Sequence, residues 1–289
     1  MIENLNTNKV HIIVLTWNNK DILKRCLKSL ENINYASNMY DYTNFTVNVI
    51  DNNSSDNSIE MVAKKFPKVN VTKNSQNLKF GAGYNAGFKK MNFDEKDFII
   101  LLNDDTIVSR DFMDELINPL INNNRAIISV PKILFSSNIN KIWYAGGAVD
   151  LWRGLIYHVG IRDFDGPKYS FISETQYATG CCLCLRYEDL KKLNFFDETF
   201  DMYCEDVDLS LRARQLNRKI IYAPKSIILH SVSQSLGEHS SKKNIMKLKN
   251  HLKLFWKHAT GIQLISIFFY WILFHLPYQL LRWLYLRKK

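Results

Sequence analysis

The stretch Phe98 to Thr106, FIILLNDDT, decides how the rest of the chain is read, because an apolar run with the character of a buried strand stops on two adjacent carboxylates. Side chains at the carboxyl end of a strand in an open α/β sheet project into the crevice where ligands bind. Asp104 and Asp105 therefore stand where a cation or ribose hydroxyls would be held. A strand end with a capping acid is the plainer alternative, since Ser109 and Asp111 precede a run of helical spacing from Phe112 to Ile121.

Working outward, two earlier runs repeat the pattern. Val10 to Leu15 ends in Thr16, Trp17, Asn18 and Asn19, and Phe45 to Ile50 ends in Asp51, Asn52, Asn53 and Ser54. Each polar cluster precedes apolar residues at helical spacing: Ile22, Leu23, Cys26, Leu27 and Leu30 after the first, and Ile59, Val62, Ala63 and Phe66 after the second. This βαβα order predicts an α/β fold with a mostly parallel central sheet flanked by helices, its polar strand ends gathered along one edge.

The chain has 289 residues, enough for one large domain. Its net charge of +10 suggests a nucleic-acid footprint, but the distribution excludes one. From His239 onward there are ten Lys or Arg and no Asp or Glu, so residues 1–238 sum to zero. The same tail carries the run IQLISIFFYWILFHL, Ile262 to Leu276, continuing past Pro277 to Leu284 and a terminal Arg-Lys-Lys. A spanning helix needs about 20 apolar residues, a length reached here only by including His275, Pro277 and Gln279. Flanking lysines from Lys242 to Lys257 suit anionic headgroups, and Trp256, Trp271, Trp283 and Tyr285 suit the interface, which predicts a helix lying in or dipping into a leaflet. A single span and a buried helix pair are the alternatives. The expected organisation is a catalytic domain over 1–238 and a membrane-associating segment over 239–289. Met1 to Lys9 is polar and shows no secretory signal, which places the catalytic part in the cytoplasm, on the inner face of a membrane. The five cysteines lack disulfide or zinc spacing and read as buried reduced thiols.

Three further groups bear on chemistry. NLKFGAGYNAG, Asn77 to Gly87, follows a strand-like run from Val69 to Thr72; Gly81 and Gly83 would let the backbone approach a ligand, with Gly87 on the following helix. A dinucleotide loop is the rival reading, opposed by the Gly-x-Gly-x-x-x-Gly spacing and by the position after two earlier βα units. NFFDETFDMYCEDVDLSL, Asn194 to Leu211, places Glu205, Asp206 and Asp208 at a helix start. Acids there gain roughly 0.3 to 1 kcal/mol each from the helix dipole, but Phe195, Phe196, Phe200 and Tyr203 would also desolvate a carboxylate and raise its pKa toward that of a general base. Finally, Ile220 to Tyr222 and Ile227 to Leu229 read as two strands, the second ending in His230, a further ligand for a cation at Asp105 or a structural histidine. Trp143, Tyr144, Gly146, Gly147 and Trp152, in an irregular middle, could shape a sugar-stacking surface.

In order, VLTWNN, VIDNNSSDNS, NLKFGAGYNAG, LLNDDT, TGCCLCLR, FDETFDMYCEDVDLSLR and IIYAPKSIILH resemble the motifs of the inverting family 2 glycosyltransferases with the GT-A fold, over about Val10 to Ser235 and closest to the rhamnosyltransferase-like branch. The resemblance implies that Thr16, Trp17 and Asn18 lie beside a nucleobase whose ring N–H Asp51 accepts, and that Asn77, Gly83 and Asn85 line the nucleotide cleft. It implies that Asp104 faces the ribose, that Asp105 with His230 holds Mg²⁺ or Mn²⁺ on the diphosphate, and that Asp206 is the catalytic base with Glu205 beside it and Arg212 on the same helix. The implied partners are a UDP- or dTDP-linked sugar donor and a glycan or lipid-linked acceptor. Two positions depart from the family pattern: Asn103 replaces the first aspartate of Asp-x-Asp, and Ser233 replaces a glycine after the histidine. A sugar nucleotidyltransferase would instead carry a Gly-rich loop with Arg and Lys after the first strand, where TWNN stands, and a silent nucleotide-sugar binding module would lack Asp206.

Overall fold

Why the strand ends converge follows from the order in which the strands pair. The computed structural model describes residues 8–33, 45–231 and 241–278. The first half runs β1 (Val10–Thr16), α1 (Lys20–Leu30), β2 (Phe45–Asp51), α2 (Ser58–Lys65), β3 (Asn70–Lys73), α3 (Gly81–Phe88) and β4 (Phe98–Asn103). β4, β1, β2 and β3 are adjacent and parallel, with Thr16 opposite Asp51 and Leu15 opposite Asn103. Phe98 to Leu102 are all buried, as expected of a strand covered on both faces. α1 turns Leu23, Cys26, Leu27 and Leu30 into the same core.

The second half comprises β5 (Thr106–Val108), α4 (Phe112–Asn122), β6 (Ala126–Phe135), β7 (Asn138–Tyr144), β8 (Gly147–Asp150), β9 (Leu155–His158), β10 (Ser173–Thr175), β11 (Cys182–Arg186), α5 (Tyr187–Lys192), α6 (Glu205–Gln215) and β12 (Lys219–His230). α7 (Ser241–His258) and α8 (Gly261–Tyr270) follow. Among the described residues the sheet runs β10-β12-β6-β11-β4-β1-β2-β3, with β5 on β12 and β7 on β6. β11 is antiparallel to both β4 and β6, so the expected mostly parallel sheet is parallel through its first half and mixed beyond it. Of the consecutive strands there, β6–β7 and β8–β9 pair antiparallel, while helices still join β5 to β6 and β11 to β12.

Two local expectations are corrected. The segment read as two strands is the single β12, kept continuous by a register shift between Ala223 and Ile227. Pro224, which has no N–H to give the ladder, falls inside that shift. The middle read as irregular is also regular: Trp143 and Tyr144 end β7, and β8 pairs with β9 as a hairpin. Their short lengths and glycines hide the alternation that marks a strand.

Packing continues past residue 238. Leu254 and Phe255 of α7 are buried, and the Asn250 side chain donates to the carbonyls of Met202 and Tyr203 at 2.6 and 3.3 Å. The lysines expected to face headgroups turn largely toward the body. Lys253 donates to the Thr199 carbonyl, Lys257 contacts Asp197 at 2.7 Å, and Lys247 lies over the Tyr203 ring. The acids of the 197–208 stretch draw them there, since residues 239–289 hold none. α8 differs: Ile267 is buried while Ile262, Ile265, Phe268, Phe269 and Leu273 are exposed, so it does not form the second member of a buried helix pair. Gly261–Tyr278 has the length and hydropathy of a membrane span, mean hydropathy 1.4, and is 6% buried. Ser233 and residues 279–289, including Trp283 and Tyr285, lie outside the described residues.

Candidate active site

The ends of β1, β2 and β4 form one polar edge. Thr16 is buried and donates its hydroxyl to Asp104 Oδ2 at 2.6 Å, and the Asn19 amide reaches the same oxygen at 3.1 Å. Burial and, secondarily, the Asp105 charge push Asp104 up to about 7 against these hydrogen bonds. Asp104 is thus a carboxyl poised to gain or lose its proton near neutrality. Asp51 is also buried, and both its oxygens accept the Ser54 backbone N–H, at 3.1 and 3.2 Å. Asn18, with φ +53°, clamps the neighbouring turn by accepting the Ser55 N–H at 2.7 Å. Trp17 is half exposed at 49% and free to meet a ligand ring.

The chain reverses after β4 because β5 must pair antiparallel with β12, which sets Thr106 opposite His230. Asp105, in that turn, lies with Oδ1 3.2 Å from His230 Nε2, and its carbonyl accepts the Ser231 N–H at 2.8 Å. The carboxylate–imidazole contact lacks hydrogen-bond alignment: Asp105 Oδ1 and His230 Nδ1 are buried without partners. Two ligands of one octahedral cation, each about 2.1 Å from it, stand about 3 Å apart, so the pair fits a shared Mg²⁺ or Mn²⁺. Among the described residues no group of three or more His, Cys, Asp or Glu could hold an ion. The edge of the Trp143 ring lies between His230, at 4.4 Å, and His158, at 4.3 Å. Burial lowers the His158 pKa to about 4. Of the other aromatic candidates, Tyr144 is buried with its hydroxyl on the Tyr177 carbonyl, and Trp152 is exposed.

The second acidic group reaches this edge through β11. The Cys181 carbonyl takes the Asn103 N–H at 2.9 Å, and the preceding Gly180 donates its N–H to Asp206 Oδ2 at 2.7 Å. Asp206 Oδ1 accepts from Val207 N at 2.8 Å, so backbone amides alone hold this carboxylate. α6 begins after two consecutive left-handed residues, Tyr203 at φ +71° and Cys204 at φ +72°, each costing of order 1 to 2 kcal/mol for a residue bearing a Cβ. Glu205 is buried with Oε2 unpartnered. Burial, then the Asp206 charge, pushes Glu205 up to about 8, and burial likewise raises Asp206 despite its N–H donors. Ionisation of Glu205 is thus opposed both by its burial and by the neighbouring Asp206 charge. Asp208, two residues on, meets Arg212 Nε at 2.8 Å and Lys257 and His258 at 2.7 Å each. Burial pushes its carboxyl up, but the bonds from His258 and Lys257 and the Arg212 charge outweigh it and hold Asp208 low, as a structural anion.

A Cβ on Gly83 would stand 2.9 Å from the Asn52 amide, one on Gly81 3.1 Å from Phe196, and one on Gly87 2.2 Å from Ile50. The bare backbone of α3 thus packs closely against protein, which at Gly83 is the residue next to Asp51. Asn85 is likewise a clip: its side chain donates to the Phe196 carbonyl at 2.9 Å and Glu198 at 3.0 Å, and accepts the Phe196 N–H at 3.2 Å. It lines a cleft of about 600 Å³ with Phe88, Tyr187, Phe195 and Arg212. Asn77 is exposed and accepts the Lys79 N–H at 2.9 Å, shaping the loop. Sequence reasoning missed Asn19 and Gly180. Both lay within quoted motifs, VLTWNN and TGCCLCLR, but Gly180 acts through a backbone N–H and carries no side-chain signal. All five cysteines are free and buried.

Residues 11–193 match the family model of Glycosyl transferase family 2. The chain is 22% identical over 272 residues to rhamnosyltransferase WbbL of Escherichia coli (strain K12), covering 89% of this chain and 95% of that protein. Among solved structures it resembles GalNAc-T7 with UDP, GalNAc and Mn²⁺, with TM-score 0.66 and 19% identity over 86% of this chain and 48% of that one. It also resembles S. aureus TarS 1-349 in complex with UDP, with TM-score 0.56 and 18% identity over 86% of this chain and 65% of that one. Both likenesses show a GT-A-like fold, and in each the chain spans less than two thirds of the neighbour's length.

Proposed function

The chain belongs to glycosyl transferase family 2 and is a glycosyltransferase, and from that premise we propose that it moves a sugar from a UDP- or dTDP-linked donor to a glycan or lipid-linked acceptor with inversion, Asp206 acting as general base. The observation that carries this reading is the Asp206–Gly180 hydrogen bond, which ties a half-buried carboxylate with raised pKa to the strand ends bearing Asp104 and Asp105. GalNAc-T7 and TarS, in their solved structures, hold UDP, which supports a nucleotide donor.

In this reading Thr16 and Asn19 orient Asp104 toward ribose hydroxyls, Trp17 offers its exposed ring to the base, and Asp51 retains lone pairs for a ring N–H. Asp105 and His230 would hold a divalent cation, whose charge stabilises the departing diphosphate. Each Asp206 oxygen uses one lone pair on a backbone N–H and keeps another for the acceptor hydroxyl. As the hydroxyl oxygen attacks the anomeric carbon from the face opposite the leaving diphosphate, Asp206 takes its proton. Glu205, keeping its own proton, prevents a second negative charge beside it.

The exposed apolar face of α8 supports docking on the inner, cytoplasmic surface of a membrane. Ile267 packs on Gly154, and the Trp271 indole donates to the Arg153 carbonyl at 3.0 Å, which favours a helix lying along a leaflet over one crossing it. Removing residues from Gly261 onward should abolish binding to anionic liposomes, whereas continued binding would refute this role for α8. For the chemistry, a panel of UDP- and dTDP-sugars should give one donor that is turned over in Mg²⁺ or Mn²⁺ and spared in chelator, with an inverted product. Retention of the anomeric configuration would contradict the mechanism.

A further inference from the structure

We propose that α7 is a positioning element of the active site, with Asn250 and His258 setting the helix start that aims Asp206; this rests on the reading of Asp206 as base. Two consecutive left-handed residues, Tyr203 and Cys204, precede Glu205, and such a turn persists only where its surroundings over-determine it. The Asn250 side chain, 1% exposed, supplies that constraint by donating to Met202 O at 2.6 Å and Tyr203 O at 3.3 Å. About two turns further along the same helix, His258 Nε2 and Lys257 Nζ each meet Asp208 Oδ1 at 2.7 Å, on the first turn of α6 itself. Lys257 also reaches Asp197, and Lys253 the Thr199 carbonyl.

α7 thus grips the segment before α6 and the helix's first turn at once, while Gly180 holds the Asp206 carboxylate from the opposite side. None of these α7 groups touches the carboxylate that does the chemistry. Their effect is on where it points, and an error of about 1 Å at a reacting group can cost up to about a hundredfold in rate.

The test uses full-length protein and the nucleotide sugar that wild type turns over best in the UDP- and dTDP-sugar panel. Asn250→Asp keeps the side chain's shape but removes both N–H donors. It should lower kcat per folded molecule about tenfold or more, with UDP affinity and donor KM within about twofold. His258→Leu should do the same, and His258→Gln, which restores an N–H toward Asp208, should recover most of the loss. If Asn250→Asp fails to fold, the Leu and Gln pair at 258 decides the matter. Unchanged kcat in both loss variants, equal kcat in His258→Leu and His258→Gln, or a loss confined to nucleotide affinity would overturn the proposal. Asp206→Asn, assayed alongside, separates the two claims: wild-type turnover there would sink the base assignment, whereas an inactive Asp206→Asn beside a fully active Asn250→Asp would sink the role of α7 alone.

Discussion

The two faces of α6 treat carboxylates in opposite ways. On the face toward the sheet edge, Asp206 is stabilised only by the neutral N–H groups of Gly180 and Val207, and burial leaves it more basic than an ordinary carboxylate. On the face toward α7, Asp208 is fully buried but meets Arg212, Lys257 and His258, and stays ionised. Two aspartates two residues apart thus take different roles. The lesson is that what neutralises a buried acid decides whether it can do proton chemistry: cations fix the charge, while neutral donors leave it available.

The contrast is broken most strongly at Asp208. Asp208→Asn leaves Arg212 and Lys257 around a neutral amide and should destabilise the fold by about 3 kcal/mol, the scale for breaking a buried ion pair, read by urea unfolding. A loss below about 1 kcal/mol would mean that solvent already screens the cluster. A smaller effect is expected at the cation pair. Asp105→Ala should weaken Mn²⁺-dependent UDP binding about tenfold or more in calorimetry, while binding measured in chelator stays at the wild-type level. Equal affinity with Mn²⁺ would exclude Asp105 as a ligand.

The mildest effect sharpens the comparison from the Glu205 side. Its folded pKa is raised from 4.5 to about 8, so its protonated form contributes stability fully present below about pH 4.5 and lost as the pH rises through about 8. Glu205→Gln, which cannot ionise, should therefore match wild type near pH 5 and melt at a higher temperature than wild type at pH 9. A difference that grows toward acid pH instead would reverse the assigned protonation state.

What could be read from residues alone divides along the same line. The strand-end carboxylates were legible because an apolar run that stops on Asp104 and Asp105, and others that stop on Thr16 and Asp51, announce a sheet edge by periodicity. The acids at the start of α6 were visible too, and their helical position holds. Their division of labour was not, because it depends on α7, some 40 residues downstream, whose lysines look in sequence like a headgroup-binding stripe. The protein contacts of Gly83 and Asn85 were hidden for a related reason. A bare backbone and a polar amide look alike whether they face a ligand or, as here, Asn52 and Phe196. Gly180 was beyond reach, since its contribution is a main-chain N–H delivered by the register of β11 on β4.

The most direct test of the account is the turnover of Asp206→Asn measured together with its UDP affinity. The substitution preserves shape while removing the basic oxygen. Affinity should stay within about twofold of wild type while turnover of the preferred nucleotide sugar falls about a hundredfold or more, the scale for a positioned base. Wild-type turnover in this variant would show that Asp206 is not the base.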